Sequence, residues 1–311
     1  MPKKKRRTKN TGSVLPLLLI AAVVGAAIVW AILPRSYRHS THRVSTETVS
    51  AVTPVPERSE APTTASPPEA TPTVNAIETP KIVKPVGRGH GEAGPQVAII
   101  IDDCGQWLET ERGVIGLPIP VTLAVLPHVH YSKLISQEAS HAGKGVMLHL
   151  PMEPVSHANP GPGEIKTDMT DDAIVAQAED DIAQVPLAKG VNNHEGSEAS
   201  ADERVMRDVI GVIKDHGLFF VDSMTSSKSV GYSIAQADGV PNASRDVFLD
   251  DQADVAYTEK QLQHAMELAQ KNGSAIAIGH PKPTTLEAIK AMYPQMQAAG
   301  VEFVLASDLV H

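Results

Sequence analysis

Nine residues, Val97 to Gly105, reading Val-Ala-Ile-Ile-Ile-Asp-Asp-Cys-Gly, constrain the fold more than any other stretch. A largely β-branched apolar run without polar alternation is typical of a strand buried on both faces, as in a parallel sheet or barrel. The run stops on two adjacent carboxylates, Asp102 and Asp103. Successive strand side chains point to opposite faces, so we expect both to leave the strand at its C-terminal edge, where α/β folds keep their active sites. The alternative is an Asp-rich helix cap after a buried strand.

The N-terminal part of the chain predicts a membrane anchor. Residues 3 to 9 carry six basic side chains, and the twenty residues from Val14 to Leu33 carry no charge. Twenty helical residues at about 1.5 Å each span a hydrocarbon core of roughly 30 Å. We therefore expect a basic cytoplasmic segment at 1–13 and a transmembrane signal-anchor helix at 14–33, with the remainder outside the cytoplasm. A cleaved signal peptide is the competing interpretation, although its apolar region is usually shorter.

Composition divides the rest of the chain in two. Residues 34–95 are rich in Pro, Thr, Ser, Ala and Glu and show no regular period, so they predict a disordered linker. Residues 96–311, the head, hold 30 acidic and 14 basic side chains. This acidic surplus argues against nucleic acid as a partner, because phosphate backbones are bound through Lys and Arg. Cys104 is the only cysteine, so no intrachain disulfide supports the fold.

Apolar runs alternate with amphipathic stretches throughout the head, which is the pattern of repeated βα units. We predict helix starts at Thr170, at Ser200 with Glu203, and at Thr284 with Glu287. The predicted strands cover residues 97–101, 121–126, 145–150, 190–193, 218–221, 246–249, 275–279 and 302–306. Seven to eight such units in a head of this length predict a distorted (β/α) barrel.

Polar side chains follow nearly every predicted strand. If the fold is a barrel, they converge on one rim, and crowding so many titratable groups is costly without a ligand. Oxygen and imidazole donors without thiolate suit a divalent metal such as Zn²⁺, Fe²⁺, Co²⁺ or Mn²⁺. These side chains are Asp102, Asp103, His128, His149, Asn193, His194, Asp222, Asp250, Asp251, His280 and Asp308.

Six motifs of the head resemble the divergent polysaccharide deacetylases, a branch related to the NodB-type carbohydrate esterases. The motifs occur in order along the head and do not extend into the anchor or the linker. They are Ile-Asp-Asp-x-Gly at 101–105, Leu-His-Leu-Pro-Met-Glu-Pro at 148–154, Gly-Val-Asn-Asn-His-x-Gly-Ser at 190–197, Phe-Val-Asp-Ser-x-Thr at 220–225, Phe-Leu-Asp-Asp at 248–251 and Ala-Ile-Gly-His-Pro at 277–281.

The resemblance implies a metal-dependent hydrolase that removes acetyl groups from an envelope polysaccharide or peptidoglycan, most simply with Zn²⁺. It implies that Asp102 is the base, Asp103 a metal ligand and His280 the acid. The esterases place two metal histidines four residues apart, whereas this chain has His149 and Glu153. We infer that His194 supplies the missing imidazole, with Glu153 as the alternative oxygen ligand.

Other polar residues of the motifs have less specific roles. Asn192, Asn193 and Ser197 would bind sugar hydroxyls or simply form turns. Asp222 or Asp250 would orient His280 and favour its protonated form.

Two further function classes stay open. One is an envelope scaffold that binds metal or glycan without turnover, which is favoured because the arginine motif of the esterases is replaced here by Asn-Asn-His. The other is a phosphoryl-transfer enzyme with Asp102 as nucleophile, which leaves the histidines unexplained. In either deacetylase or scaffold form, we expect a single-pass protein of a bacterial inner membrane with a periplasmic head.

Overall fold

The computed structural model describes residues 94–311, so the predicted anchor and nearly all of the linker lie outside the described residues. Among residues 94–311, no helix is both long and apolar enough to cross a membrane. The strands are β1 (Gln96–Cys104), β2 (Thr122–Val125), β3 (Gly145–Met152), β4 (Gly190–Glu195), β5 (Phe219–Asp222), β6 (Asn242–Ser244), β7 (Val247–Phe248), β8 (Ser274–Gly279) and β9 (Glu302–Val304). The helices are α1 (Leu108–Ile115), α2 (Ser132–His141), α3 (Asp171–Gln184), α4 (Glu203–Asp215), α5 (Gly231–Ala237), α6 (Val255–Asn272) and α7 (Pro283–Ala298).

The strands form one parallel sheet in the order β6-β5-β4-β3-β2-β1-β8-β7, and β9 pairs with the first three residues of β1. The two ends of this order, β6 and β7, are separated in the chain only by Arg245 and Asp246. The sheet must therefore curl until its ends approach, which makes an incomplete barrel of parallel strands with helices outside. This architecture is consistent with the distorted barrel expected from the sequence. Because the strands are parallel, their carboxyl ends share one rim.

Two apolar layers follow from the two-residue period of the strands. Along β1, the side chains of Val97, Ile99 and Ile101 pack with helix residues in the larger core cluster. The alternate residues, Ala98 and Ile100, belong to a smaller cluster whose other members come from strands and from the segment after β9. The smaller cluster is therefore the barrel interior, and the continuous apolar run of β1 reflects burial on both faces.

The helix starts show how far local sequence signals reach. Thr170 caps α3 as predicted, because its side chain accepts a hydrogen bond from the backbone N–H of Ala173, three residues further along the chain. The start predicted at Ser200 is wrong: a short 3₁₀ turn holds Ser200, and Asp202 caps α4. The start predicted at Thr284 is also wrong, since α7 begins at Pro283. Proline at the first helical position loses no hydrogen bond and has a helical φ, so it outweighs the competing cap signal.

Candidate active site

Asp102 extends the interior row of β1. It follows Ala98 and Ile100 on the same strand face and is 4% exposed. The carboxylate therefore lies where the apolar interior of the barrel gives way to the rim. Burial raises the pKa of Asp102, although His149, His280 and a hydrogen bond from Asn192 oppose this shift.

Asp103 reaches the same side of the sheet through a backbone irregularity. The pairing of β1 with β2 shifts register between Ile101 and Cys104, and Asp103 has a φ of 56°. A left-handed residue is uncommon outside glycine, and here it breaks the alternation that would have sent Asp103 to the helix layer. Both carboxylates consequently line one cavity at the rim.

β3 and β4 bring two histidines to this cavity. His149 follows Met147 on the interior face of β3, and it pairs in register with Asn192 of β4. Two residues further along the same face of β4 stands His194, which pairs with Pro151. Adjacent parallel strands thus place two imidazoles side by side next to the end of β1.

Three potential ligand atoms converge in this cluster. Asp103 Oδ1 lies 3.0 Å from His194 Nδ1 and 3.3 Å from His149 Nε2, and the two histidine nitrogens are 3.0 Å apart. Atoms bonded to a common ion at about 2.0–2.2 Å, with angles of roughly 90–110°, are about 3 Å apart. Asp103 Oδ1 is buried without an aligned hydrogen-bond donor among the described residues. The residues therefore fit a divalent cation.

Electrostatics favour the same assignment. Burial opposes ionisation of Asp103, but the neighbouring His149 and His194 rings outweigh it and hold the pKa of this carboxyl well below its usual range. Burial likewise lowers the pKa of His149, and the charges of Asp102 and Asp103 raise it to a net upward shift. An ionised carboxylate thus stands beside two nitrogens at the point where a cation would sit.

Asn192 orients both Asp102 and His149. Its Nδ2 donates to Asp102 Oδ1 at 2.8 Å and to Ser223 Oγ at 3.1 Å, and its Oδ1 lies 2.9 Å from His149 Nδ1. The opposite amide orientation would put an oxygen against the carboxylate, so His149 Nδ1 donates to Asn192, and in the neutral ring the lone pair is on Nε2. The Asn192 side chain is fully buried and these contacts occupy its amide, so it positions the site and does not bind sugar.

His280 stands across the cavity with Asp250 behind it. Asp250 Oδ1 lies 2.9 Å from His280 Nδ1, and Asp250 Oδ2 accepts from the His280 backbone N–H at 2.8 Å and from Thr285 Oγ1 at 2.7 Å. Burial lowers the pKa of His280, but the contact with Asp250 outweighs this and raises it overall. His280 Nε2 lies 3.8 Å from Asp103 Oδ2, so the imidazolium faces the carboxylate pair.

Asp222 does not assist His280. Its carboxylate accepts hydrogen bonds from Met224 N–H at 2.9 Å, Ser229 Oγ at 2.7 Å and Tyr232 N–H at 3.1 Å. Met224 and Ser229 lie between β5 and α5, and Tyr232 lies in the first turn of α5, so Asp222 holds that segment and the start of the helix in place. Of the two carboxylates considered from the sequence, only Asp250 contacts His280.

Asn193 and Ser197 differ in position. Asn193 lines the cavity, and its Oδ1 accepts from Ser223 N–H at 2.9 Å. Ser197 accepts from Val155 N–H at 3.0 Å and does not line the cavity, so it ties two loops together. Asn193 is 1% exposed, and its Nδ2 donates to Glu195 O at 3.0 Å and to Thr225 Oγ1 at 3.2 Å, so its amide is as fully occupied as that of Asn192. The turn interpretation therefore fits Ser197, and the Asn193 amide holds neighbouring backbone and side-chain groups in place.

Glu153 belongs to a different group of side chains. Its Oε2 accepts from both the backbone N–H and the hydroxyl of Thr167 at 2.8 Å, and its Oε1 lies 3.4 Å from His157 Nδ1. It does not line the cavity. The structure thus brings His194, and not Glu153, beside Asp103 and His149.

Sequence reasoning missed the opposite wall of the cavity. Arg245 lies where the chain crosses between the sheet ends: its backbone N–H donates to Asp222 O, and the next N–H donates to Ile276 O. Its guanidinium donates to Ser223 O at 2.7 Å and lies 5.1 Å from the centre of the Phe248 ring. Burial lowers the pKa of Arg245. No sequence signal marks this crossing except the single Arg directly before the Phe-Leu-Asp-Asp motif.

α6 completes this wall with Tyr257, Gln261 and His264. These residues are spaced four and three apart, which places them on one helix face. That spacing is visible in the sequence, but the neighbouring positions are also polar, so the face does not stand out. The complete cavity encloses about 710 Å³.

The model of the family described as divergent polysaccharide deacetylase matches residues 99–310, the sheet and rim described above. The chain belongs to this family. Among curated relatives, an uncharacterized protein of Haemophilus influenzae is 36% identical over 203 residues, covering 64% of this chain and 71% of the relative. The uncharacterized protein YibQ of Escherichia coli K12 is 33% identical over 216 residues, covering 70% of this chain and 67% of the relative.

A solved structure agrees with this assignment. The crystal structure of an uncharacterized protein from Agrobacterium tumefaciens C58 superposes with a TM-score of 0.68 at 26% identity, covering 72% of this chain and 93% of the other. The chain thus shares its fold with that protein, and the family match covers residues 99–310 of the head.

Proposed function

We propose that this protein is a metal-dependent hydrolase that removes acetyl groups from an N-acetylated envelope polysaccharide or peptidoglycan. One observation carries the proposal: Asp102 is buried beside the cluster of Asp103, His149 and His194, and His280 faces the same cavity. Membership of the divergent polysaccharide deacetylase family supports the reaction class.

Asp103, His149 and His194 would hold the cation. Two imidazoles and one carboxylate suit Zn²⁺ among the common divalent ions. The cation would supply Lewis acidity, which lowers the pKa of a water molecule and polarises the amide carbonyl. Asn192 supports this arrangement because it fixes the His149 ring with Nε2 toward the cluster.

Two side chains would move the protons. Asp102 takes a proton from the attacking water, and its burial makes it a better base than an exposed aspartate. The C–N bond of the acetamide then breaks to give acetate and a free sugar amine. His280, protonated because Asp250 raises its pKa, gives its proton to the departing nitrogen. Hydrolysis thus consumes one water and returns both groups to their starting states after proton exchange.

The decisive experiment compares the wild-type chain with Asp102→Asn. Acetate release from chitooligosaccharides and peptidoglycan fragments is measured together with metal content, with and without chelator. Asparagine keeps the shape and removes the basic oxygen, so turnover should fall by about 10²- to 10⁴-fold at unchanged metal content. Asp172→Asn removes the same charge from an exposed position of α3 and serves as the control.

The scaffold alternative predicts a different result. A metal-loaded wild-type protein that binds these glycans yet releases no acetate from any of them would reject the hydrolase and favour the scaffold. Under that alternative, Asp102→Asn should leave glycan affinity unchanged or slightly increase it, because one negative charge leaves the site.

We also propose that residues 14–33 anchor the protein in a bacterial inner membrane, with 34–95 as a tether and the head in the periplasm. Six basic residues before the apolar stretch support this orientation. A reporter fused after His311 should then be active only in the periplasm. N-terminal sequencing that finds a mature chain beginning after Ala31 would reject the anchor.

A further inference from the structure

A second cluster of ligand-type atoms lies outside the cavity. His128, in the loop after β2, places Nε2 3.1 Å from Asp180 Oδ2 and 3.0 Å from Asp181 Oδ1, both near the end of α3. None of the three side chains lines the cavity. A loop and a helix that are remote in sequence thus meet at one nitrogen and two carboxylate oxygens.

Asp181 is unusual within this cluster because it is completely buried. Its Oδ1 accepts from Gln177 Nε2 at 3.1 Å, in addition to the contact with His128. Its Oδ2 is buried without a hydrogen-bond partner among the described residues. A buried carboxylate left this poorly satisfied costs free energy unless a positive group compensates for it.

The packing around Asp181 leaves little room for another positive group beside its buried carboxylate. Gly163, at a φ of +92°, lies against the carboxylate, and a Cβ there would clash with Asp181 Oδ1. Within residues 94–311, His128 is the cationic candidate whose ion pair with Asp181 the structure shows, and its single Nε2 proton would have to serve two carboxylate oxygens at nearly equal distances.

We propose that His128 Nε2, Asp180 Oδ2 and Asp181 Oδ1 bind a second divalent cation, separate from the proposed active-site metal. One nitrogen and two carboxylate oxygens form a harder ligand set than the two imidazoles and one carboxylate of Asp103, His149 and His194. Carboxylate-rich sites suit Mn²⁺ more than imidazole-rich sites do. The ratio of Mn²⁺ affinity to Zn²⁺ affinity should therefore be higher at the second site than at the active-site cluster.

The position of this site indicates a structural role. A cation there joins the β2–α2 loop to α3, and Gly163 keeps the β3–α3 loop close to the same carboxylate. Asp180 is 58% exposed at its side chain, so the ion can exchange with solvent and with chelators. Bound metal stabilises the folded chain by mass action because the unfolded chain lacks the arrangement.

The test counts bound metal on the full chain after chelator treatment and reloading with Mn²⁺ or Zn²⁺. Elemental analysis and Mn²⁺ EPR should find two ions per wild-type chain. Asp180→Asn/Asp181→Asn should bind one ion, and His149→Ala/His194→Ala should also bind one. In the latter variant, Mn²⁺ should still raise the melting temperature by a few degrees. That shift should disappear when Asp180→Asn and Asp181→Asn are added.

The outcomes separate the two proposals. One ion in wild type that only His149→Ala/His194→Ala removes would overturn the second site and leave the active-site metal standing. One ion that only Asp180→Asn/Asp181→Asn removes would overturn the active-site metal and support the second site. A His128 imidazolium that bridges both carboxylates and a protonated, neutral Asp181 are the alternatives to a metal ion, and both predict no Mn²⁺-dependent stabilisation at this cluster.

Fold integrity has its own check. Asparagine is close in shape to aspartate and removes a buried charge, so Asp181→Asn without metal should melt no lower than wild type without metal. His128→Gln provides a second route, because it removes the imidazole and leaves both carboxylates in place. If His128→Gln folds and still binds two ions, His128 is not a ligand and the site as proposed is rejected.

Discussion

The two walls of the cavity are built in different ways. The strand wall consists of Asp102, Asp103, His149 and His194, at the ends of β1, β3 and β4, with the buried Asn192 behind them. The seam wall consists of Arg245, Phe248, Tyr257, Gln261 and His264, where the chain crosses between the sheet ends and enters α6. The strand wall is held by paired backbones and by hydrogen bonds among its own side chains, whereas the seam wall is more exposed.

This difference suggests a division of labour. Chemistry requires groups fixed to within a fraction of an ångström, and regular strands fix side chains better than loops do. Recognition of a polymeric substrate tolerates more freedom and requires exposed polar and aromatic surface. We therefore expect large effects on metal binding and turnover from the strand wall, and smaller effects on substrate affinity from the seam wall.

The largest effect should come from the metal ligands. His194→Ala removes one of three converging atoms, and even changes behind a ligand typically cost about 10- to 100-fold in metal affinity, so the loss should be at least that large. Activity should fall in parallel. Metal affinity is measured by competition with a chromogenic chelator.

Glu153→Gln provides the contrast to His194→Ala. Glu153 accepts both of its short hydrogen bonds from Thr167, away from the cluster. The metal affinity of the Glu153→Gln variant should therefore stay within a few-fold of wild type. Full metal occupancy in His194→Ala together with loss in Glu153→Gln would reverse our assignment of the third ligand.

A smaller effect is expected for Asp250→Asn. Asparagine Oδ1 still accepts from His280 Nδ1, but it no longer stabilises the imidazolium, so kcat should fall by about 10- to 100-fold, below the range expected for a lost proton-transfer group. Metal content and KM should change little. The control is Asp222→Asn: Asp222 contacts the β5–α5 segment and not His280, so this variant should lose stability rather than kcat. Equal kcat losses in both variants would show that Asp250 acts only through folding.

The strand wall could be predicted from the sequence because two simple rules determine it. Buried parallel strands read as apolar runs, and the residues after them meet at one rim, so the motif around Asp102 located the site. The bulge at Asp103 was not predictable, since nothing in Asp-Asp-Cys-Gly distinguishes a left-handed aspartate from an extended one. Its consequence was only that both carboxylates face one cavity.

The seam wall could not be predicted from the sequence, and the reason is physical. The strand expected at residues 246–249 is present as β7, but no strand was expected at β6, directly before it, and the two pair with opposite ends of the sheet. Where a sheet closes depends on its accumulated twist and on tertiary packing, not on local propensity. Arg245 therefore lines the cavity because the chain crosses between the sheet ends at this point, and a local residue pattern does not predict that crossing.

The smallest effect, and the sharpest test of the division, concerns Arg245. Its guanidinium donates to Ser223 O and Met224 O and lies against Phe248, so it is a fixed positive group in an otherwise acidic cavity. Lysine keeps the charge but cannot make the same planar pair of hydrogen bonds. We expect Arg245→Lys to raise KM for chitooligosaccharides about 3- to 10-fold, equivalent to about 0.7–1.4 kcal/mol, while kcat stays within a few-fold.

Little change in kcat is expected because Arg245 has no hydrogen bond to Asp102 in the structure and acts on it only through the field of its charge. Lysine preserves most of that field, so the base should keep its strength. Melting temperature serves as the control, because two carbonyls lose a rigid donor and a loss of about 1–3 kcal/mol of stability is expected if neither is satisfied again. A 100-fold fall in kcat at unchanged KM and unchanged melting temperature would place Arg245 with the chemistry and erase the distinction between the walls.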